Sequence, residues 1–216
     1  MVYEPMTLLT DVLLAGWALL LGTKLLSDAQ SSLQRYWGWG LVMTAAAALT
    51  GGVWHGFSPH WNSFVVVSVW RLVLLFIGAA DTLLGLAAAS EIFPGRVQRW
   101  IRFGILSKAG LFVLLLVWFD GFWLAVADYL PTLLLILLLH VRGIKRSVAS
   151  RWMVSGVVGA LFAAGIQAGE LSLAAWFNHN DLYHLVQGLA LFAFYRGVVC
   201  KGRLKAEGED SPGINP

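Results

Sequence analysis

Seven apolar runs of about 20 residues each, separated by short links carrying Lys, Arg, Pro or Gly, constrain this chain more than any other feature. Their spans are Met6–Ser27, Trp37–Phe57, Phe64–Phe93, Val97–Phe119, Phe122–Val141, Val148–Phe177 and Asp181–Val199. That length is what an α-helix needs to cross about 30 Å of hydrocarbon. The runs show no alternation of polar and apolar positions, and each is longer than the ~10 residues of a barrel strand. The expected fold class is therefore all-α, a polytopic membrane protein built as a seven-transmembrane helix bundle. Composition agrees: 58% of residues are hydrophobic, only 12% are charged, and mean hydropathy is +0.72, outside the balance of a soluble domain. The third and sixth runs exceed one crossing, so they must tilt, bend or project beyond the lipid.

Orientation follows from the basic residues. Lys24 and Arg35 flank the first link; Arg96, Arg99 and Arg102 the third; Arg142, Lys145, Arg146 and Arg151 the fifth; Arg196, Lys201, Arg203 and Lys205 the end. The intervening links carry no Lys or Arg, and of fifteen basic residues only Arg71 and Lys108 break the pattern. The positive-inside rule then puts the N-terminus outside and the C-terminus in the cytoplasm. The opening MVYEP lacks a positive n-region and the first run leads to Lys24, so the first helix is expected to be retained rather than cleaved.

Residues 1–201 are expected to form one transmembrane domain, and 202–216 (GRLKAEGEDSPGINP) a disordered polar cytoplasmic tail. Short links force sequential helices to be antiparallel neighbours, and no repeat points to an inverted-repeat transporter. AAAALTGG and GVVGALFAAG supply small residues for close helix packing, and the eleven tryptophans suit interface anchors. The pI of about 9.2 fits contact with anionic membrane lipids better than with nucleic acid. The lone Cys200 excludes an intrachain disulfide. A bacterial inner membrane and a eukaryotic endomembrane both fit this integral, multi-pass chain, and the oligomeric state is left open.

An ionisable residue in hydrocarbon costs roughly 2.5–3.5 kcal/mol even on the lenient insertion scale, so each needs a partner or a task. With the topology above, His55 closes the second helix and His184 opens the seventh on the outer side. Gln167 and Glu170 lie toward the outer end of the sixth. Asp11 lies about a turn and a half into the first helix, and Asp128 a similar distance into the fifth. His60 and His179 belong to outer links, leaving His140 alone on the cytoplasmic side. A second group reads as structural: Asp81 and Lys108 lie at matching distances from the cytoplasmic ends of the third and fourth helices, so they pair. Arg71, three turns above Asp81, reaches the outer carboxylates or snorkels to the headgroups.

On the seventh helix Asn180, His184 and Gln187 share one face, while His179 points elsewhere. TGGVWHG delivers His55 to the same stratum. Two imidazoles plus one of His179, Asp11 or Glu170 suffice for a zinc site with an open position for water. A zinc-bound water of lowered pKa could attack an amide or ester, with a nearby carboxylate as general base.

Seven helices with the N-terminus outside, a histidine closing the second after a glycine-rich turn, and a histidine-bearing polar stripe opening the seventh resemble the alkaline ceramidase, adiponectin-receptor and related seven-helix hydrolase superfamily. The resemblance implies zinc-dependent hydrolysis of lipid amide or ester bonds at an outer-side intramembrane site. Carried over, it matches His55 and His184 as metal ligands; His179, one residue ahead of the place of the HxxxH pair, is the further candidate ligand, and Asp11 and Glu170 are the candidate catalytic carboxylates. Asn180 stands where the family has the first histidine of its HxxxH pair, and Gly51 where it has a serine. The family aspartate has no counterpart at its usual place, so Asp11 or Glu170 would replace it. Two other classes fit the same residues. One is a non-enzymatic receptor, scaffold or small-solute permease with an outer polar pocket; the other is a b-type haem protein using paired histidines.

Overall fold

The computed structural model describes residues 2–174 and 176–209, those after 202 by backbone alone. Its elements are α1 (Pro5–Ser27), α2 (Ser32–Phe57), α3 (Ser63–Ser90), α4 (Arg96–Leu115), α5 (Phe122–His140), α6 (Val148–Ala168) and α7 (His179–Glu209). Among the described residues no strand forms beyond an isolated bridge between Ala174 and Phe177. The expected all-α class is what the chain adopts. Five helices, α1, α3, α5, α6 and α7, are long and apolar enough to cross a membrane. The shortfall in α2 and α4 lies in composition: glycine, serine and tryptophan dilute α2, and Arg96, Arg99, Arg102 and Lys108 punctuate α4.

Local chemistry fixes the starts. Pro5 occupies the first turn of α1, where its missing amide costs nothing. The side chains of Ser31, Asn62 and Ser147 accept from the amides of Gln34, Val65 and Ser150, capping α2, α3 and α6. Arg71 of α3 donates to the carbonyl of Val117, just past the end of α4, where a cation suits the helix dipole. The expected reach of Arg71 to outer carboxylates is thereby replaced by a helix-end contact.

The sixth apolar run is not one helix. α6 stops at Ala168, and Glu170 adopts a left-handed φ of 50°. The Leu171 amide bonds to the Ile166 carbonyl and the Glu170 amide to that of Gln167, the paired closures of a Schellman turn. The stretch that follows, with apolar Leu171, Leu173, Trp176 and Phe177, forms no helix among its described residues and precedes α7. Glu170, expected near the outer end of a helix, is therefore an exposed turn residue. At the other end α7 continues to Glu209, into the segment expected as a tail; residues 210–216 lie outside the described ones.

Packing is close because small residues line the seams. A Cβ on Gly22 would lie 2.9 Å from the Gly38 carbonyl, so α1 and α2 meet backbone to backbone. A Cβ on Gly156 would come within 2.5 Å of the Phe194 ring, which instead fills that gap and stacks at 5.0 Å on fully buried Trp37. Outside, Leu20, Phe103, Phe162 and Leu189 are each more than half exposed within their helices, away from the ends. An apolar belt contributed by so many helices suits hydrocarbon and not water.

Candidate functional site: a cavity inside the bundle

Thr7, Asp11, Leu14, Ala18, Leu21 and Leu25 recur at alternating spacings of four and three along α1, and all are buried. Asp11 faces inward because it shares this stripe. On α7 the same logic turns His184 and Leu191 inward, with Asp181 a turn before. Between these stripes and residues of α2, α3, α5 and α6 lies a cavity of about 160 Å³. Asp11, His55, Gln167, Asn180, His184 and Gln187 contribute its polar wall toward the predicted outer end. Asp81, Tyr129 and Thr132 line it more deeply, and aromatic and aliphatic side chains complete it. The α7 stripe of Asn180, His184 and Gln187 expected from spacing does face one space.

Asp181 organises this end of the cavity. It is fully buried, accepts from the Asn178 amide at 2.8 Å and from Thr10 Oγ1 at 3.2 Å, and sits in the first turn of α7, where the helix dipole favours its charge. Thr10 Oγ1 also lies 2.9 Å from His184 Nδ1 and 3.1 Å from the Thr7 carbonyl. A hydroxyl has one proton, so these neighbours compete for it. When Thr10 donates to Asp181, it accepts from His184 Nδ1–H. His184 Nε2 then faces Asp11 Oδ1 at 3.1 Å, and a second proton must lie on the imidazole or the carboxyl to make that contact favourable. In that arrangement the pair holds a proton that neither Thr10 nor Asp181 supplies. Gln167 Nε2 donates to Asn180 Oδ1 at 2.8 Å and ties α6 into the same wall.

His55 Nδ1 stands 2.7 Å from Glu4 Oε2, a partner that sequence reasoning passed over because Glu4 precedes the first apolar run. His179 begins α7 and does not line the cavity, nor does Glu170. Of the expected donors, the structure thus brings His55, His184 and Asp11 to one cavity and leaves His179 and Glu170 apart. Among the described residues no three His, Cys, Asp or Glu side chains gather as a metal site. As they stand, His55 Nδ1 is turned to Glu4 and the His184 imidazole to Thr10 and Asp11.

Deeper in the bundle, the expected pairing of Asp81 with Lys108 is present, and Asp128 joins it. Lys108 Nζ donates to Asp81 Oδ2, to Asp128 Oδ1 at 2.7 Å and to the Asp128 carbonyl at 2.9 Å. Its three protons are all used, yet Asp81 Oδ1 and Asp128 Oδ2 remain buried without a partner. Pro131 removes the amide that would bond the Ala127 carbonyl, loosening the turn in which Asp128 sits.

A third cluster ties α3, α5 and α7 together at their basic ends. Lys201 pairs with Glu91, and His140 Nε2 stands 3.3 Å from the same carboxylate, within ion-pair reach though outside hydrogen-bond geometry. His140, the one histidine the sequence reading left on the cytoplasmic side, is buried, with Nδ1 3.3 Å from Ser150 Oγ. Burial of Glu91 raises its affinity for a proton, but the His140 imidazole and the Lys201 ammonium more than reverse this and hold its pKa below the usual 4.5. A depressed folded pKa stabilises above the unfolded value, and that stabilisation is lost as pH falls through the folded one. The thermal midpoint of the native chain should therefore drop on acidification below about pH 4.5 more steeply than that of Glu91→Gln. Parallel curves would show that Glu91 contributes nothing by charge.

A protein-family model described as a family of unknown function (DUF6962) matches residues 6–202, which include all of α1 to α6 but the first residue and most of α7. No curated protein and no solved structure matches the chain.

Proposed function

Because the chain belongs to DUF6962, a family whose description carries no activity, we propose a function from its residues: a seven-span membrane protein whose internal cavity binds a small solute arriving from the outer side, as a receptor or permease. The charge asymmetry of the links supports an N-terminus outside and a C-terminus in the cytoplasm. The apolar faces of α2 and α4 support seven crossings rather than five. Membrane lipid is the surrounding partner. One observation carries the reading: a cavity bounded by six helices, whose lining residues Asp11, Asp81 and Gln167 each carry a buried polar atom that no protein group satisfies.

Thiol labelling tests it. In a Cys200→Ser background, Ala47→Cys lies on the cavity wall and Ala18→Cys in the packed core. A small membrane-impermeant thiol reagent added outside should modify the first and spare the second. Equal protection of both would overturn the reading.

A zinc-dependent lipid hydrolase is the second reading, favoured by His55, His184 and Asp11 lining the same cavity. It needs His184 to turn away from Asp11 and Thr10. Zinc co-purifying with the chain and lost in His184→Ala would favour it over the first.

A further inference from the structure

Three residues that line the cavity carry unserved buried atoms, and these have one chemical character. Asp11 Oδ2 and Gln167 Oε1 are buried without a hydrogen-bond partner, and both residues line the cavity; deeper on the same wall, Asp81 Oδ1 is in the same state. All three are acceptors. Asp11 is only 3% exposed, and its other oxygen faces His184 Nε2 at 3.1 Å. Among the described residues no lysine or arginine lines the cavity. Asp81 has Lys108 behind it; Asp11 has no fixed cation, and a buried carboxylate without one is costly. Such a pocket asks its occupant to bring donors and positive charge.

The walls narrow the choice. Tyr183 packs edge-on against Phe122 at 6.1 Å and against His184 at 5.4 Å. Trp70 Nε1 donates to the carbonyl of Asp120, two residues before Phe122. These contacts hold Trp70, Phe122 and Tyr183 at the level of the Asp11–His184 pair, and all three line the cavity. Aromatic faces attract organic cations that shed water easily. Gly51, also on the cavity wall, keeps space beside the carboxylate: a Cβ there would sit 3.6 and 3.7 Å from the two Asp11 oxygens. The volume is close to the ~150 Å³ that accommodates benzene in an engineered apolar cavity.

We propose that the outer part of this cavity binds a small organic ammonium ion, with Asp11 as counter-ion, the Gln167 carbonyl as acceptor, and Trp70, Phe122 and Tyr183 as aromatic walls. This rests on the solute-binding reading above and names its ligand class. The ion is a free amine or the headgroup of a lipid, the chemistry recognised being the same.

The experiment titrates the detergent-purified full chain, at constant sodium chloride, with choline and with its uncharged isostere 3,3-dimethylbutanol, read by tryptophan fluorescence and calorimetry. Choline should bind at least about tenfold more tightly than the isostere. Asp11→Asn should erase that preference. Gly51→Ala makes only ordinary contacts, so it keeps the fold while weakening choline severalfold. Short-chain phosphatidylcholine separates the sources: tighter binding than choline assigns a lipid headgroup, and weaker binding a free amine. Equal affinity for choline and isostere overturns the ammonium assignment and leaves a solute-binding cavity standing. Absence of choline binding in a chain whose Ala47→Cys is labelled overturns the assignment too. Protection of Ala47→Cys instead removes the reading beneath it.

Discussion

Lys108→Met is expected to cost about 3–5 kcal/mol of stability, the usual penalty for removing one partner of a buried ion pair. One ammonium serves two carboxylates that are almost fully buried, at 3% and 4% side-chain exposure. Methionine matches the length of the stem but abandons both, along with the Asp128 carbonyl. Their mutual repulsion in low dielectric then forces protonation or unfolding. Adding Asp81→Asn and Asp128→Asn to Lys108→Met removes the charges and should restore most of the loss, since neutral groups are far cheaper to bury. Thermal unfolding of the detergent-purified chain, followed by its eleven tryptophans, reads both. A single variant within about 1 kcal/mol of the native chain would show that the carboxylates are already neutral or hydrated.

The pairing of Asp81 with Lys108 was legible because it needs only two helix lengths and antiparallel order. Asp128 was not: its depth was read from the start of α5, which places it with the outer carboxylates. The Lys108 side chain reaches up to it and merges two strata that spacing alone keeps separate. Hydropathy misjudged the stretch after Ala168 for a related reason. Leu171, Leu173, Trp176 and Phe177 are as apolar as a helix interior, and what ends α6 is a backbone event at Glu170 that no hydropathy window registers. A glycine at 169 was the available signal, being one residue short of the left-handed position.

At the Asp11–His184 end of the cavity, face assignment succeeded and partner assignment failed. A period of 3.6 puts Asn180, His184 and Gln187 on one wall, and all three are there. It cannot say that His184 is spoken for by α1, because Thr10 and Asp11 are more than 170 residues away in sequence. The residues that bind α1 to α7 in this way are those the zinc reading needs free. Site and architecture compete for the same imidazole, and in this arrangement architecture holds it.

Asp181→Ala puts that competition to the test, with an expected loss of about 2–3 kcal/mol. The carboxylate is fully buried, and its two hydrogen bonds involve a charged acceptor, which makes each stronger than a neutral one. Alanine leaves the Asn178 amide unserved and removes the negative charge from the first turn of α7. It also frees the Thr10 hydroxyl to donate to His184 Nδ1. The imidazole can then hold its own proton on Nε2 and give it to Asp11, so the pair no longer needs a second one. The ring should therefore change tautomer as stability falls, visible in the nitrogen shifts of selectively labelled His184. Asp181→Asn keeps an acceptor for the Asn178 amide and should retain about half of the stability. A native-like melt of Asp181→Ala with unchanged His184 shifts would show that Thr10 never donates to Asp181, and the hydrogen-bond order drawn for this end of the bundle would have to be reversed.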